Sequence, residues 1–252
     1  MYKPLTLVAC AACFLLCNVS FAQDELTIAL IKDSKKDNKT INILSLDGKK
    51  RRVHIMPDYA NHVFRISCLK DTITIKDFWG VPAEVHILDI HFIQISYEVR
   101  GGSGLGLGNT MLLSVQNKKL YRSFFALRYI DVLLDRSEGE GKYNIKLRLS
   151  GGDQKNYKLF VKVHDKRYTK LSPNENYNYN DQIVLNFDPR LNVFYELKET
   201  LNYNTIDLST GAKQKMTLDD YYPAIILGKE SYYFVNGEWF IPSGPGELEV
   251  FN

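Results

Sequence analysis

Between residues 142 and 164 the chain switches between apolar and polar at every position. Tyr143, Ile145, Leu147 and Leu149 alternate with Asn144, Lys146, Arg148 and Ser150. After a turn at 151–156, Tyr157, Leu159, Val161 and Val163 alternate again. A period of two places all the apolar side chains on one side of an extended backbone, so this stretch predicts a two-stranded ribbon with one buried face. Shorter runs of the same kind cover 26–30, 41–46, 51–56, 62–68, 72–76, 182–187, 191–197, 224–227, 231–235 and 238–241. Asp47-Gly48 and Asn236-Gly237 mark tight turns between neighbouring runs. The stretches 85–99 and 110–115 read as strands joined by a glycine-rich loop at 101–109. No window of helical length shows a 3.6-residue period, and 124–136 comes nearest to one. Many short strands at this spacing predict an all-β, antiparallel meander of propeller-like, sandwich or barrel form.

The N-terminus follows a different pattern. Lys3 precedes an apolar run from Leu5 to Leu16, and Ser20-Phe21-Ala22 places small residues before Gln23. This is the anatomy of a secretory signal peptide, with an apolar core too short to span a bilayer. The expected product is one all-β domain over 23–252, with a subdivision near 80, exported to the periplasm or the extracellular space. Leu7-Val8-Ala9-Cys10 offers a lipidation site. The apolar run before Cys10 is shorter than a signal core requires, which argues against an anchor there. No second apolar run reaches membrane length.

Composition narrows the function further. The formal charge of the whole sequence is only +3, unlike a dedicated nucleic-acid binder. Cys10, Cys13 and Cys17 lie in the leader, so Cys68 stands alone in the expected mature chain and no internal disulfide can form. Charge is segregated along the sequence. Residues 142–170 hold nine basic and two acidic residues, whereas 171–252 hold five basic and twelve acidic. On the ribbon, Lys146, Arg148, Lys158, Lys162 and His164 share the solvent face. Such a stripe attracts an acidic protein or an acidic polysaccharide.

The other chemistry-bearing residues carry less. Gly102, Ser103 and Asn109 belong to the glycine-rich loop, whose spacing fits neither nucleotide-binding signature; as a hairpin tip it is a contact candidate. Asp89 and His91 share a face of an extended run, but two ligands are too few for a structural zinc site. His62 and Cys68 also share a face, yet six residues separate them by roughly 20 Å. No nucleophile elbow is present. Tyr177, Tyr179, Tyr221, Tyr222, Tyr232, Tyr233 and Trp239 crowd the last third, as core packing or as stacking platforms.

Residues 87–125 resemble one repeat of the FG-GAP or VCBS type of β-propeller. The likeness rests on Asp89 before an apolar strand, the glycine-rich loop, and a second strand ending at Lys118-Lys119-Leu120. The resemblance implies a propeller-like fold. Only Asp89 is retained of the family's D-x-D-x-D-G calcium loop, so it implies no bound metal. With no cofactor motif either, the expectation is a non-catalytic binding or inhibitory module. The alternatives are a hydrolase of envelope or extracellular polymers and a structural subunit of an envelope assembly.

Overall fold

Every regular element among the described residues is a strand. The computed structural model describes residues 27–29, 38–76, 78–79, 83–99, 105–132, 139–151, 156–169, 176–200, 204–206, 213–215, 221–244 and 247–251. In chain order, β1 (Thr27–Ala29) lies at the edge of a large sheet. A four-stranded antiparallel meander follows: β2 (Lys39–Leu44), β3 (Lys50–Asp58), β4 (Val63–Cys68) and β5 (Asp71–Ile75). The chain then builds the rest of the large sheet from β6 (Glu84–Ile87), β7 (Ile93–Val99), β8 (Leu105–Gln116), β9 (Lys119–Val132), β10 (Gly139–Ser150), β11 (Lys158–Thr169), β12 (Tyr177–Asp188) and β13 (Val193–Tyr195). Its nine strands run in the order β1-β6-β7-β8-β9-β10-β11-β12-β13. The last seven, β14 (Leu197–Thr200), β15 (Asn204–Ile206), β16 (Lys213–Lys215), β17 (Tyr221–Leu227), β18 (Glu230–Val235), β19 (Glu238–Gly244) and β20 (Glu247–Val250), form a third sheet. Its one parallel pair is β15 with β20. No sheet closes into a barrel.

The large sheet folds over on itself. Phe92, just before β7, packs its ring against Tyr157, Phe194 and Phe187 from the far end of the sheet, at centroid separations of 5.0, 5.4 and 5.6 Å. β9 makes this possible. Its register with β8 shifts twice, near Gly108/Asn109 and Leu112/Leu113, and only its last four residues, Tyr129 to Val132, pair with β10. Bulges of this kind bend a strand and sharpen its twist. The two smaller sheets cover the other side. The Phe64 ring meets Phe78 and Tyr97, and the Phe125 ring meets Phe251 at 4.3 Å. The Trp239 indole N–H donates to the Arg122 carbonyl, and the Leu127 amide donates to the Tyr232 hydroxyl. One hydrophobic cluster therefore extends from Ile41 to Phe251 across all three sheets.

Four expectations need correction. The single run at 85–99 is two strands, β6 and β7, divided by a turn at 88–92. There the Asp89 carboxylate accepts the His91 amide and the Tyr157 hydroxyl, while the His91 ring bonds the Leu44 carbonyl. Asp89 and His91 are thus turn-forming residues. The glycine-rich segment is not a loop throughout, because β8 begins at Leu105. Gly108 is needed there as a bed for an aromatic ring: a Cβ at this position would lie 2.3 Å from the Tyr129 ring. Asn109, expected at a hairpin tip, is only 2% exposed in the middle of β8, opposite Tyr97 and Leu127. It lies beside the Tyr97 hydroxyl, whose pKa burial pushes up to about 12. Finally, residues 124–132 of the weak helical period at 124–136 belong to strand β9, whose register with β8 shifts twice, and the rest of that stretch lies outside the described residues. Gly102 and Ser103 lie outside the described residues.

Candidate anion-binding face

β10, β11 and β12 keep the two-residue rhythm that the sequence announces. Tyr143, Ile145, Leu159, Val161, Val163, Ile183 and Leu185 are buried against the fold, with Leu147 and Leu149 packed beside them. The opposite face is open. The strand registers arrange it in rows across the three strands. Asn144, His164 and Asn180 form one row, Lys146, Lys162 and Gln182 the next, and Arg148, Phe160 and Val184 the third. Successive rows are about 7 Å apart and the three strands span about 10 Å. Ser150, Lys158 and Asn186 close one end of this surface, and Lys142, Lys166 and Asn178 the other.

Lys146 and Lys162 are directly opposite each other, in a geometry that brings Cβ atoms to about 5 Å and makes like charges destabilising. Among the described residues, no carboxylate lies within ion-pair distance of Lys146, Arg148, Lys158 or Lys162. Two acids on this face among the described residues are Asp131, opposite Lys142 and two rows away from Lys146, and Glu98, which lies beyond Tyr129 in the Asn144 row. Arg148 is held by the ring beneath it, its guanidinium carbon 4.4 Å from the Phe160 centroid. Asn144, Lys146, Lys162, His164 and Asn180 enclose a shallow groove of about 330 Å³. All five of its side chains are polar.

Sequence reasoning located four of these cations but missed Asn144, Asn180 and Gln182. Asn144 shares the polar phase of Lys146 on β10, and the signal for the other two is the alternation Asn178, Asn180, Gln182 ahead of Ile183, which continues β12 five residues upstream of the run read at 182–187. Of the expected contact residues, the structure brings Lys146, Arg148, Lys158 and Lys162 together, whereas Asn109 is buried elsewhere.

On the reverse side of the ribbon, an acid of the C-terminal segment is engaged away from the lysines. Arg167 makes two hydrogen bonds to the buried Asp165, at 2.9 and 3.1 Å, and one of 2.6 Å to Glu230 of β18. The β17–β18 turn closes against this pair. Gly228 has φ +70°, and a Cβ there would lie 3.1 Å from the Asp165 carboxylate. Glu230 is thereby spent on the inner face.

A second groove, of about 450 Å³, lies where the three sheets meet and is lined by Asp71, Leu120, Arg122, Arg190, Phe234 and Glu238 among others. Its charges have both signs, and three of them are engaged by the fold. Asp71 accepts the Leu120 amide at 2.7 Å, Arg190 approaches Asp188 at 3.6 Å, and the Arg122 guanidinium rests over Phe125. This groove is a seam between sheets.

The remaining candidates resolve into structure. The Cys68 thiol is free and buried, and burial pushes its pKa up, the opposite of what a nucleophile needs. His62 stacks on Trp79 and bonds the Phe78 carbonyl. Tyr232, Tyr233 and Trp239 are buried, whereas Tyr177 and Tyr179 stack on each other half-exposed, with the Lys229 ammonium 4.7 Å above the Tyr177 ring. No group of three or more His, Cys, Asp or Glu side chains among the described residues could hold a metal ion, and those residues include no helix long and apolar enough to cross a membrane. Compared with family models, curated proteins and solved structures, the chain matches none.

Proposed function

We propose that this protein is an exported binding module whose β10–β12 face captures an anionic partner. One observation carries the reading: Lys146 and Lys162 sit opposite each other on an exposed face, and no carboxylate among the described residues lies within ion-pair distance of either. Two ammonium groups in that register repel, and a bound anion removes the repulsion. Lys158 and Arg148 extend the positive field along the ribbon, which raises local anion concentration and association rate. The buried side of the same strands is anchored to the core, so the face is rigid before a ligand arrives and little ordering entropy opposes binding. Export rests on the leader-like pattern of residues 1–22.

The test is a fourfold charge reversal, Lys146→Glu, Arg148→Glu, Lys158→Glu and Lys162→Glu, assayed on immobilised polyanions. The wild type should bind at low salt and release as ionic strength rises, since exposed charges are screened over about 8 Å at physiological salt. The variant should lose binding while its circular-dichroism spectrum stays that of a β protein. Wild-type protein that ignores every polyanion at low salt would overturn the reading. Equal binding by the variant would do so too.

A further inference from the structure

The surroundings of the paired lysines narrow the ligand beyond its charge. Resting on the anion-binding reading above, we propose that the groove takes a linear acidic polysaccharide, specifically a chain of uronate sugars. The opposed Lys146 and Lys162 supply donors for a carboxylate. Flanking them are Asn144 and Asn180 in the adjacent row and Gln182 in the same row. A carboxamide is both donor and acceptor. A ligand that is acceptor-only, such as a sulfate or phosphate ester, would leave the amide oxygens to water. Ring hydroxyls both donate and accept, so a sugar can satisfy both ends of each amide.

The cations set the sign of the ligand and no more: arginine's bidentate fork matches carboxylate and phosphate alike, the opposed pair here are lysines, and the neighbouring Arg148 is engaged with the Phe160 ring. The shape argues against an acidic protein. Protein hot spots depend on aromatic or aliphatic anchors in desolvated pockets, whereas every side chain lining this groove is polar. Open at both ends along the strands, the surface continues into Lys158, Asn186 and Ser150 on one side and Lys166 and Asn178 on the other. A chain lying along the ribbon therefore meets cations and amides in most rows, with the Phe160 ring and Val184 beside Arg148 in one of them.

The experiment compares four polymers against the full chain by titration calorimetry: polygalacturonate, its methyl-esterified form, poly-L-glutamate and dextran sulfate. Polygalacturonate should bind at least tenfold tighter per anionic group than poly-L-glutamate or dextran sulfate, and esterification should abolish binding. Asn144→Ala/Asn180→Ala should erase the tenfold preference while leaving weak, salt-sensitive binding to poly-L-glutamate. Asn180→Ala alone, at an exposed position, should reduce the preference severalfold and guards against misfolding of the double variant. Equal or tighter binding of poly-L-glutamate or dextran sulfate overturns the sugar assignment and leaves the anion-binding reading standing. So does a preference that survives both variants. Failure to bind any of the three charged polymers overturns both.

Discussion

Within one sheet, β8 and β11 live under different rules. From residue 108 to 115 every side chain of β8 is buried, because β10–β13 fold over one side of it and the two smaller sheets cover the other. β11 buries Leu159, Val161, Val163 and Asp165 and leaves Lys158, Lys162 and Lys166 in water. The contrast separates two demands on a strand. A strand covered on both sides is selected for volume, so its sequence loses the polar half of the alternation. A strand covered on one side has a free face, and whatever chemistry the molecule offers a partner can be written there. The candidate site lies on the second kind of strand.

The widest gap between the two regions should appear on truncation. Phe124→Ala, in the doubly covered part of β9, should cost about 3–5 kcal/mol through lost burial and a residual cavity. Lys146→Ala on the open face should change stability by no more than about 0.5 kcal/mol. Urea unfolding of the two variants measures the difference, and comparable losses would erase the distinction between the regions.

Next in size is the tie between the ribbon's buried side and the third sheet. Arg167→Met strands the buried Asp165 without its cation and should cost about 3 kcal/mol, the usual penalty for breaking a buried pair. The double variant Asp165→Leu/Arg167→Met should lose less than the single one, because it removes the uncompensated charge. A double variant that is worse than the single would mean that the pair is held for packing instead.

These two regions also explain what could be read from residues alone. The all-β class and the ribbon were legible because β10 and β11 alternate residue by residue, and the sides assigned to Lys146, Arg148, Lys158 and Lys162 are the ones observed. The start of β8 and the length of β9 were not legible for the converse reason, although 110–115 did read as a strand. A doubly buried strand has no polar face, Gly106 and Gly108 mimic a loop while seating the Tyr129 ring, and bulges in the β8–β9 ladder break the period at 124–132. Asn180 and Gln182 could not be assigned to the site because a third strand, β12, brings them there. Pairing between β11 and β12 is a tertiary fact that local alternation does not encode. The turn at Asp89 was hidden by an apolar run long enough to pass for one strand.

At the end of β12 the open face gives way to the seam, and Asp188 marks the change. Burial pushes its carboxyl pKa up, but the Arg190 amide at 2.9 Å, the Lys198 ammonium at 3.3 Å and the Leu191 amide together hold it below the usual value. A carboxylate with a depressed folded pKa adds stability that is complete above its unfolded value of about 3.9 and is lost as pH falls through the folded one. Asp188→Asn should therefore cost about 1–2 kcal/mol at pH 7, the scale of hydrogen bonds to a charged group. The gap between variant and wild type should shrink as pH falls below the unfolded value and through the lower folded one. Denaturant titrations at pH 7 and pH 3 give both numbers, and a gap independent of pH would assign Asp188 a purely steric role.

The smallest expected effect on stability discriminates best between a strand built for packing and one built for a partner. Lys162→Glu turns the repulsive pair with Lys146 into an attractive one, worth about 0.2–1 kcal/mol across an antiparallel pair. The variant should melt slightly higher than the wild type while binding polyanions more weakly. No substitution at the fully buried positions of β8 should improve stability in this way, since their neighbours already fill the space. A lower melting temperature for Lys162→Glu would mean that the opposed lysines are not in conflict, and the case for an anion between them would lose its physical basis. A gain in stability accompanied by a loss of binding would show two charges kept together for the sake of what they hold.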